Sequence, residues 1–171
     1  SLPEMLQDRR VFYRETTGLQ NQAVLFMPDS LNGSPVTVLD PNSLSSGGSI
    51  AFEDWSPSPD GHYLAYSLAQ GGSDWHTVHI RDLGSMEDVA DTLKWVRFSR
   101  ISWTRDGRGF FYSRYPEPPA GLALSSALFG HTVYYHLVGT EQSRDQPILG
   151  NGDLAKYFVG CAVEEDGRYL F

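Results

Sequence analysis

Ile50-Ala51-Phe52-Glu53-Asp54-Trp55, then Asp60-Gly61, then His62-Tyr63-Leu64-Ala65-Tyr66 is the stretch on which the reading of this chain turns. An apolar run, an Asp-Gly pair and a second apolar run read as two strands joined by a tight turn. Gly takes positive φ at no steric cost, and Asp tolerates the turn while bonding its own backbone. The unit returns as Phe98-Ser99-Arg100-Ile101-Ser102-Trp103, Asp106-Gly107 and Gly109-Phe110-Phe111-Tyr112. It begins again with Tyr157-Phe158-Val159-Gly160-Cys161-Ala162-Val163, Asp166-Gly167 and Tyr169-Leu170-Phe171. The turns lie 46 and 60 residues apart, and the extra length sits mainly in an insertion, Pro116 to Gly130, rich in Pro, Gly, Ala and Ser.

A third strand follows in the two complete units and opens on the same tripeptide. His76-Thr77-Val78-His79-Ile80-Arg81 alternates, with Val78 and Ile80 on one face, and His131-Thr132-Val133-Tyr134-Tyr135-His136-Leu137 repeats it less strictly. Short fourth segments stand around Thr92–Val96 and Gln146–Leu149. Four antiparallel strands at a period near 45 residues are the signature of a β-propeller blade. Middle strands that are apolar on both faces suit a blade stacked between two others. Upstream, Val11–Arg14, Gln22–Phe26 and Val36–Leu39 read as strands of a preceding blade, with Asn32-Gly33 as a turn. Met86–Leu93 is read as a connector with a helical turn or two. A β-sandwich needs similar strands and turns, but the repeat with its downstream His-Thr-Val favours the propeller. The blades fall at about 10–48 (the first, in part), 49–97 and 98–150, with the start of another at 156–171.

Composition removes whole classes of function. Lys plus Arg number 13 against 21 Asp plus Glu, a net charge of −8, and no basic run exists. That is no footprint for a nucleic-acid partner. No stretch approaches 18 apolar residues, so no membrane partner is expected. At 40% hydrophobic and 13% aromatic, the chain is not of disordered type. A single Cys cannot form an internal disulfide, and a reducing compartment fits best. The chain starts at Ser1 and stops in the apolar run at Phe171, so both ends read as cut.

Chemical motifs are sparse. There is no G-x-S-x-G elbow, no G-x-x-x-x-G-K and no G-x-G-x-x-G string. His76 and His79 are three apart on a strand, and His131 and His136 five apart; odd spacing throws each pair to opposite faces. They read as ordinary strand and surface histidines, and no metal is expected. Cys161, on an apolar strand, reads as a small buried hydrophobe. Asp88, Asp91 and Glu164-Glu165-Asp166 read as solvated charges in turns or connectors. Trp55 and Trp103 end equivalent strands and read as core. Trp75, after Gly71-Gly72-Ser73-Asp74, stands in a loop, where an aromatic beside a carboxylate could form a contact, although a structural role is the favoured reading for a tryptophan.

Several strings now align with a known family. Thr17–Gln22, Leu39–Asn42, Gly72-Ser73-Asp74-Trp75, Phe98-Ser99, Trp103–Gly107, Tyr134–Ser143 and Glu165–Tyr169, in this order, resemble the propeller domain of the prolyl oligopeptidase family. The resemblance runs from about Val11 to the last residue. The Pro116–Gly130 insertion and Trp55-Ser56-Pro57-Ser58-Pro59 depart from it. It implies an all-β chain of about two and a half to three four-stranded antiparallel blades from a seven-bladed propeller. It implies a serine peptidase that cleaves short peptides after proline and needs no cofactor. The propeller there covers an α/β-hydrolase domain that carries the Ser–Asp–His triad, so this segment holds no catalytic residue. Partners would be short proline-containing peptides and the hydrolase domain of the same parent chain, and the setting would be cytoplasmic. By resemblance, Phe98 and Phe158 line the propeller side of the pocket for the substrate's third residue; both could instead fill core. Asp74, with Trp75 beside it, stands at the interface with the hydrolase domain.

A free-standing propeller that binds partners without peptidase activity is the competing class. The two differ in whether the parent continues into further blades and a serine elbow. Blades bury their faces against neighbours, so the 171-residue chain alone is expected to be poorly stable and unable to cleave a proline-containing reporter peptide. Thermal melting and a peptidase assay of the purified chain check both.

Overall fold

The computed structural model describes residues 4–5, 11–16, 18, 20–28, 33–45, 49–119, 129–150, 152–164 and 166–171. A first sheet has the order β1 (Glu4–Met5), β2 (Val11–Glu15), β3 (Val24–Pro28), β4 (Pro35–Leu39). A second is the antiparallel meander β5 (Ile50–Pro57), β6 (Tyr63–Gln70), β7 (His76–Asp82), β8 (Glu87–Val96). A third contains β9 (Ser102–Trp103), β10 (Gly109–Arg114), β11 (Thr132–Leu137) and β12 (Gln146–Leu149). The second and third touch edge to edge at one pair, Arg114 with Val96.

The alternation of β6 shows why the sheets stack. Leu64 and Tyr66 join Phe12, Leu25, Met27, Val38 and Leu39 of the first sheet in one buried cluster. Ala65, one residue out of step, joins Val78, Ile80, Leu93 and Val96 with Trp103, Phe110 and Tyr112 of the third. Successive side chains of a strand point to opposite faces, so the middle sheet is apolar on both and each core lies between sheets. The repeated tryptophans take part: Trp55 packs on Phe12 at 5.3 Å between ring centroids, and Trp103 stacks on Tyr63 and donates its Nε1–H to the Ser56 carbonyl at 3.0 Å. A side chain even substitutes for a strand: Gln22 accepts from the Phe52 N–H at 3.0 Å and donates to the Ile50 carbonyl on the edge of β5.

The three Asp-Gly turns close alike. Gly61, Gly107 and Gly167 donate to the carbonyls of Ser58, Thr104 and Glu164, while Asp60, Asp106 and Asp166 accept the N–H two residues on. Glycine is required there twice over. Gly107 has φ +66°, and a Cβ on it would stand 2.5 Å from the Asp60 carboxylate; one on Gly167 (φ +75°) would stand 2.8 Å from Arg105 Cβ. The second and third turns each nest against the turn of the preceding sheet.

A polar group also repeats. Tyr66, Arg81 and Asp88 in the second sheet correspond in position to Tyr112, His136 and Asp145 in the third. Tyr66 donates to Asp88 at 2.8 Å and Tyr112 to Asp145 at 2.5 Å. In each case the basic member also reaches back to the preceding sheet: Arg81 donates to the Val38 carbonyl, and His136 Nε2 meets Asp91 at 3.0 Å. His136 is fully buried, with Nδ1 2.7 Å from Asp145, and Asp91 also accepts the Gly139 N–H at 2.6 Å. Burial alone would lower the His136 pKa, but Asp145 and then Asp91 outweigh it and raise it, so both nitrogens donate. Both tyrosine hydroxyls are pushed well up, by burial and then by their carboxylates.

Several expectations are corrected. Met86–Leu93 is no helical connector: β8 starts at Glu87, and Met86 at φ 59° turns the chain back into a hairpin from β7. Asp91 is buried and Asp88 paired, so neither is a solvated connector charge. His131 and His136 are buried too, not surface residues. Only Ser102–Trp103 of the run from Phe98 is strand, because Phe98 adopts φ 53° and the Ser113 N–H takes the Ser99 hydroxyl instead of a carbonyl. In the last unit, pairing extends only from the turn to Ala162 and Phe171, with a bridge at Val163–Leu170. Asn32, Glu165 and residues 120–128 of the insertion lie outside the described residues.

His136→Ala leaves two carboxylates buried without their cation, at a cost of about 3–5 kcal/mol. A pKa raised in the folded state stabilises fully below the unfolded value of about 6.5 and ceases to as pH rises through the folded one. Urea unfolding should therefore show the full deficit of this variant at pH 6 and a smaller one at higher pH.

Candidate functional site

Antiparallel connectivity sorts the loops between two ends. The Asp-Gly turns, the β7–β8 turn and the β11–β12 loop share one end. The β6–β7 loop, the β8–β9 connection and the segment after β12 share the other. Asp74 and Trp75 lie in the β6–β7 loop, Phe98 follows β8, and Phe158 follows the 3₁₀ turn Gly152–Lys156. All four candidate residues therefore stand on one face.

The structure brings them together. Phe98 is 54% and Phe158 68% exposed, so neither fills core as a residue opening an inner strand would. Their rings touch at 4.9 Å between centroids. Asp74, on the surface, pairs with Arg97 of this same chain. The Arg97 guanidinium lies 5.4 Å from the Trp75 ring and 4.9 Å from that of Phe98. Trp75 is half-buried and meets Trp95 and Tyr115 edge to face, at 5.8 and 5.7 Å. Tyr115 lies 4.6 Å from His131, which is edge-on to Phe158 at 6.0 Å. The contacts close into a ring: Trp75, Tyr115, His131, Phe158, Phe98, Arg97 and back to Trp75.

Arg97, Tyr115 and His131 were not legible as members of this ring. Arg97 is an arginine beside a phenylalanine with no pattern around it. The signal for His131 was its place in the repeated His-Thr-Val string. Its tautomer follows from its partners: Nε2 lies 2.8 Å from the Arg97 carbonyl, to which it donates, and Nδ1 accepts the Val159 N–H at 3.0 Å. Burial lowers its pKa, which suits a neutral imidazole with one N–H and one lone pair.

The backbone at the end of β8 and just beyond it is strained. Trp95 and Phe98 hold φ of 62° and 53°, a region that bulky side chains rarely enter. Such conformations persist only where the surroundings impose them; here Trp95 is pinned by Trp75 and Phe98 by Arg97 and Phe158. A cavity of ≈ 350 Å³ opens beside them, lined by Asp74, His76, Arg97, Phe98, Ser99 and Arg100.

This arrangement can bind but offers little for covalent chemistry. An exposed aromatic wall beside an arginine and a carboxylate takes up an apolar group by burial and stacking. Cys161 is pushed up to about 11 by burial, which leaves a thiol rather than a nucleophilic thiolate. Among the described residues, no cluster of three His, Cys, Asp or Glu is arranged to hold a metal, and no helix is long and apolar enough to cross a membrane.

Residues 1–171 match the family described as the prolyl oligopeptidase N-terminal β-propeller domain. A prolyl endopeptidase of Elizabethkingia meningoseptica is 39% identical over 159 residues, which is 93% of this chain and 22% of that protein. Prolyl oligopeptidase A of Amanita bisporigera is 33% identical over 198 residues, covering 99% of this chain and 26% of that one. Among solved structures, prolyl oligopeptidase B of Galerina marginata bound to a 35mer substrate superposes with a TM-score of 0.88 at 29% identity, over 99% of this chain and 26% of its own. The chain spans about a quarter of the length of these relatives. It belongs to the prolyl oligopeptidase N-terminal β-propeller family, and the all-β reading of a propeller segment holds.

Phe98→Gly and Phe98→Ala separate ring from backbone. Both lose the exposed ring, but only Gly relaxes the left-handed conformation, by about 1 kcal/mol. Denaturant melting should place the Gly variant above the Ala variant, and level with or above the unmodified protein.

Proposed function

We propose that this chain is the access-limiting propeller segment of a serine oligopeptidase that cleaves short peptides after proline. The observation that supports it best is the gathering of Asp74, Trp75, Phe98 and Phe158 on one face, with Phe98 and Phe158 in contact yet open to solvent. A propeller face that met only water would gain nothing from exposed aromatic rings held in strained backbone.

On this reading the face meets an α/β-hydrolase domain of the same protein, and the aromatic pair receives the third residue of a proline-containing peptide. Asp74 is available to an arginine of that domain because its carboxylate is 70% exposed even while paired with Arg97. Water weakens such a pair until closure buries it, so Asp74 acts as a latch between domains. Trp75, its chain neighbour, is anchored against Trp95 and Tyr115. The reading puts the blade divisions near residues 49 and 98. A reducing, cytoplasmic setting goes with the single free Cys161.

The test uses the full-length protein. It should cleave short peptides after proline and spare folded proteins. Phe98→Ala should lower kcat/KM for peptides with a bulky third residue by about two- to tenfold, the worth of one aromatic contact, and leave those with glycine there unchanged. Equal loss on both removes Phe98 from the pocket, and absence of cleavage after proline removes the reaction.

A further inference from the structure

We infer that His131 is the positioning residue of the aromatic wall, an inference that rests on the pocket reading above. Phe98 and Phe158 come from connections 60 residues apart in sequence. No backbone hydrogen bond of a sheet holds either at its own position, since both lie outside strands. One imidazole joins the two connections at the peptide units next to the rings, and Ser113 of β10 joins them one residue further on, through the Ser99 hydroxyl and the Val159 carbonyl. His131 donates from Nε2 to the carbonyl of Arg97, the residue before Phe98, and accepts at Nδ1 from the N–H of Val159, the residue after Phe158. The distances are 2.8 and 3.0 Å, and the side chain is 1% exposed.

Each bond fixes the peptide unit next to a ring that solvent would otherwise leave free. The imidazole itself touches only Phe158 of the pair, edge-on, and its other face rests on Tyr115. Because both partners are backbone groups, the wall's geometry follows from His131 whatever neighbours the rings acquire. Ser113 supports the same segment from β10, donating to the Val159 carbonyl at 2.8 Å. Val159 is thus held on both its polar groups, and the N–H half of that hold belongs to His131. His131 touches no substrate; it acts through the placement of Phe98 and Phe158.

The experiment compares three variants in the full-length protein. His131→Phe keeps a ring between Tyr115 and Phe158 but deletes both hydrogen bonds. His131→Asn keeps an acceptor for the Val159 N–H, and His131→Gln a donor for the Arg97 carbonyl. The readout is the ratio of kcat/KM for peptides with phenylalanine against glycine as third residue, with Phe98→Ala as reference. His131→Phe should lower that ratio about two- to tenfold, the worth of one or two hydrogen bonds, through the KM of the phenylalanine peptide. Asn and Gln should fall between it and the unmodified protein, and exchange of the Val159 amide should quicken in Phe and not in Asn. A lowered ratio in Phe98→Ala with an unchanged one in His131→Phe overturns the inference and leaves the pocket standing. An unchanged ratio in Phe98→Ala overturns the pocket, and the inference with it. Should the Phe variant not fold, an unmodified ratio in both Asn and Gln overturns the inference.

Discussion

Everything in this chain depends on sheets that cannot bury their own faces. Leu64 and Tyr66 point one way from β6 and Ala65 the other, and each finds its apolar partners only in a neighbouring sheet. A single four-stranded meander would expose both sets to water. At roughly 25 cal/mol per Å² of apolar surface, that contact is the main favourable term, and it is non-directional. Register between sheets has to come from elsewhere. It comes from groups with geometry: Trp103 on the Ser56 carbonyl, the nested glycine turns, and the repeated tyrosine–base–aspartate groups that reach back one sheet.

The same stacking creates the candidate site. Antiparallel strands alternate direction, so alternate loops of every sheet gather at one end. Packing the sheets side by side then aligns the β6–β7 loop, the β8–β9 connection and the segment after β12. The opposite end gets the tight Asp-Gly turns. The end with longer connections gets the aromatic residues, the strained backbone at Trp95 and Phe98, and the Arg97–Asp74 pair.

Much of the fold was legible because turn chemistry and period-two alternation are local. The Asp60-Gly61 unit predicted β5 and β6, and the His-Thr-Val strings predicted β7 and β11. Phe98, Phe158, Asp74 and Trp75 were reached through resemblance, and their gathering on one face was not read beforehand. What local pattern hides is the first half of β8: Glu87–Asp91 mixes polar and apolar residues without strict alternation, because Asp88 and Asp91 point to buried partners, while Thr92–Val96 reads as strand. A carboxylate in sequence looks solvated; only its partners say otherwise. His136 is the same case, since a histidine between a tyrosine and a leucine gives no hint of aspartates 9 and 45 residues away.

The sequence by itself determined the strand–turn–strand unit, its repetition, the all-β class and the family likeness, because each rests on residues close together along the chain. Tertiary structure alone decided which charges are buried, which tautomer His131 adopts, and that the ring from Trp75 through His131 to Phe98 closes. Those properties belong to neighbours brought together from different sheets. Hydrogen bonding and desolvation are set by distance in space, and separation along the chain does not encode it.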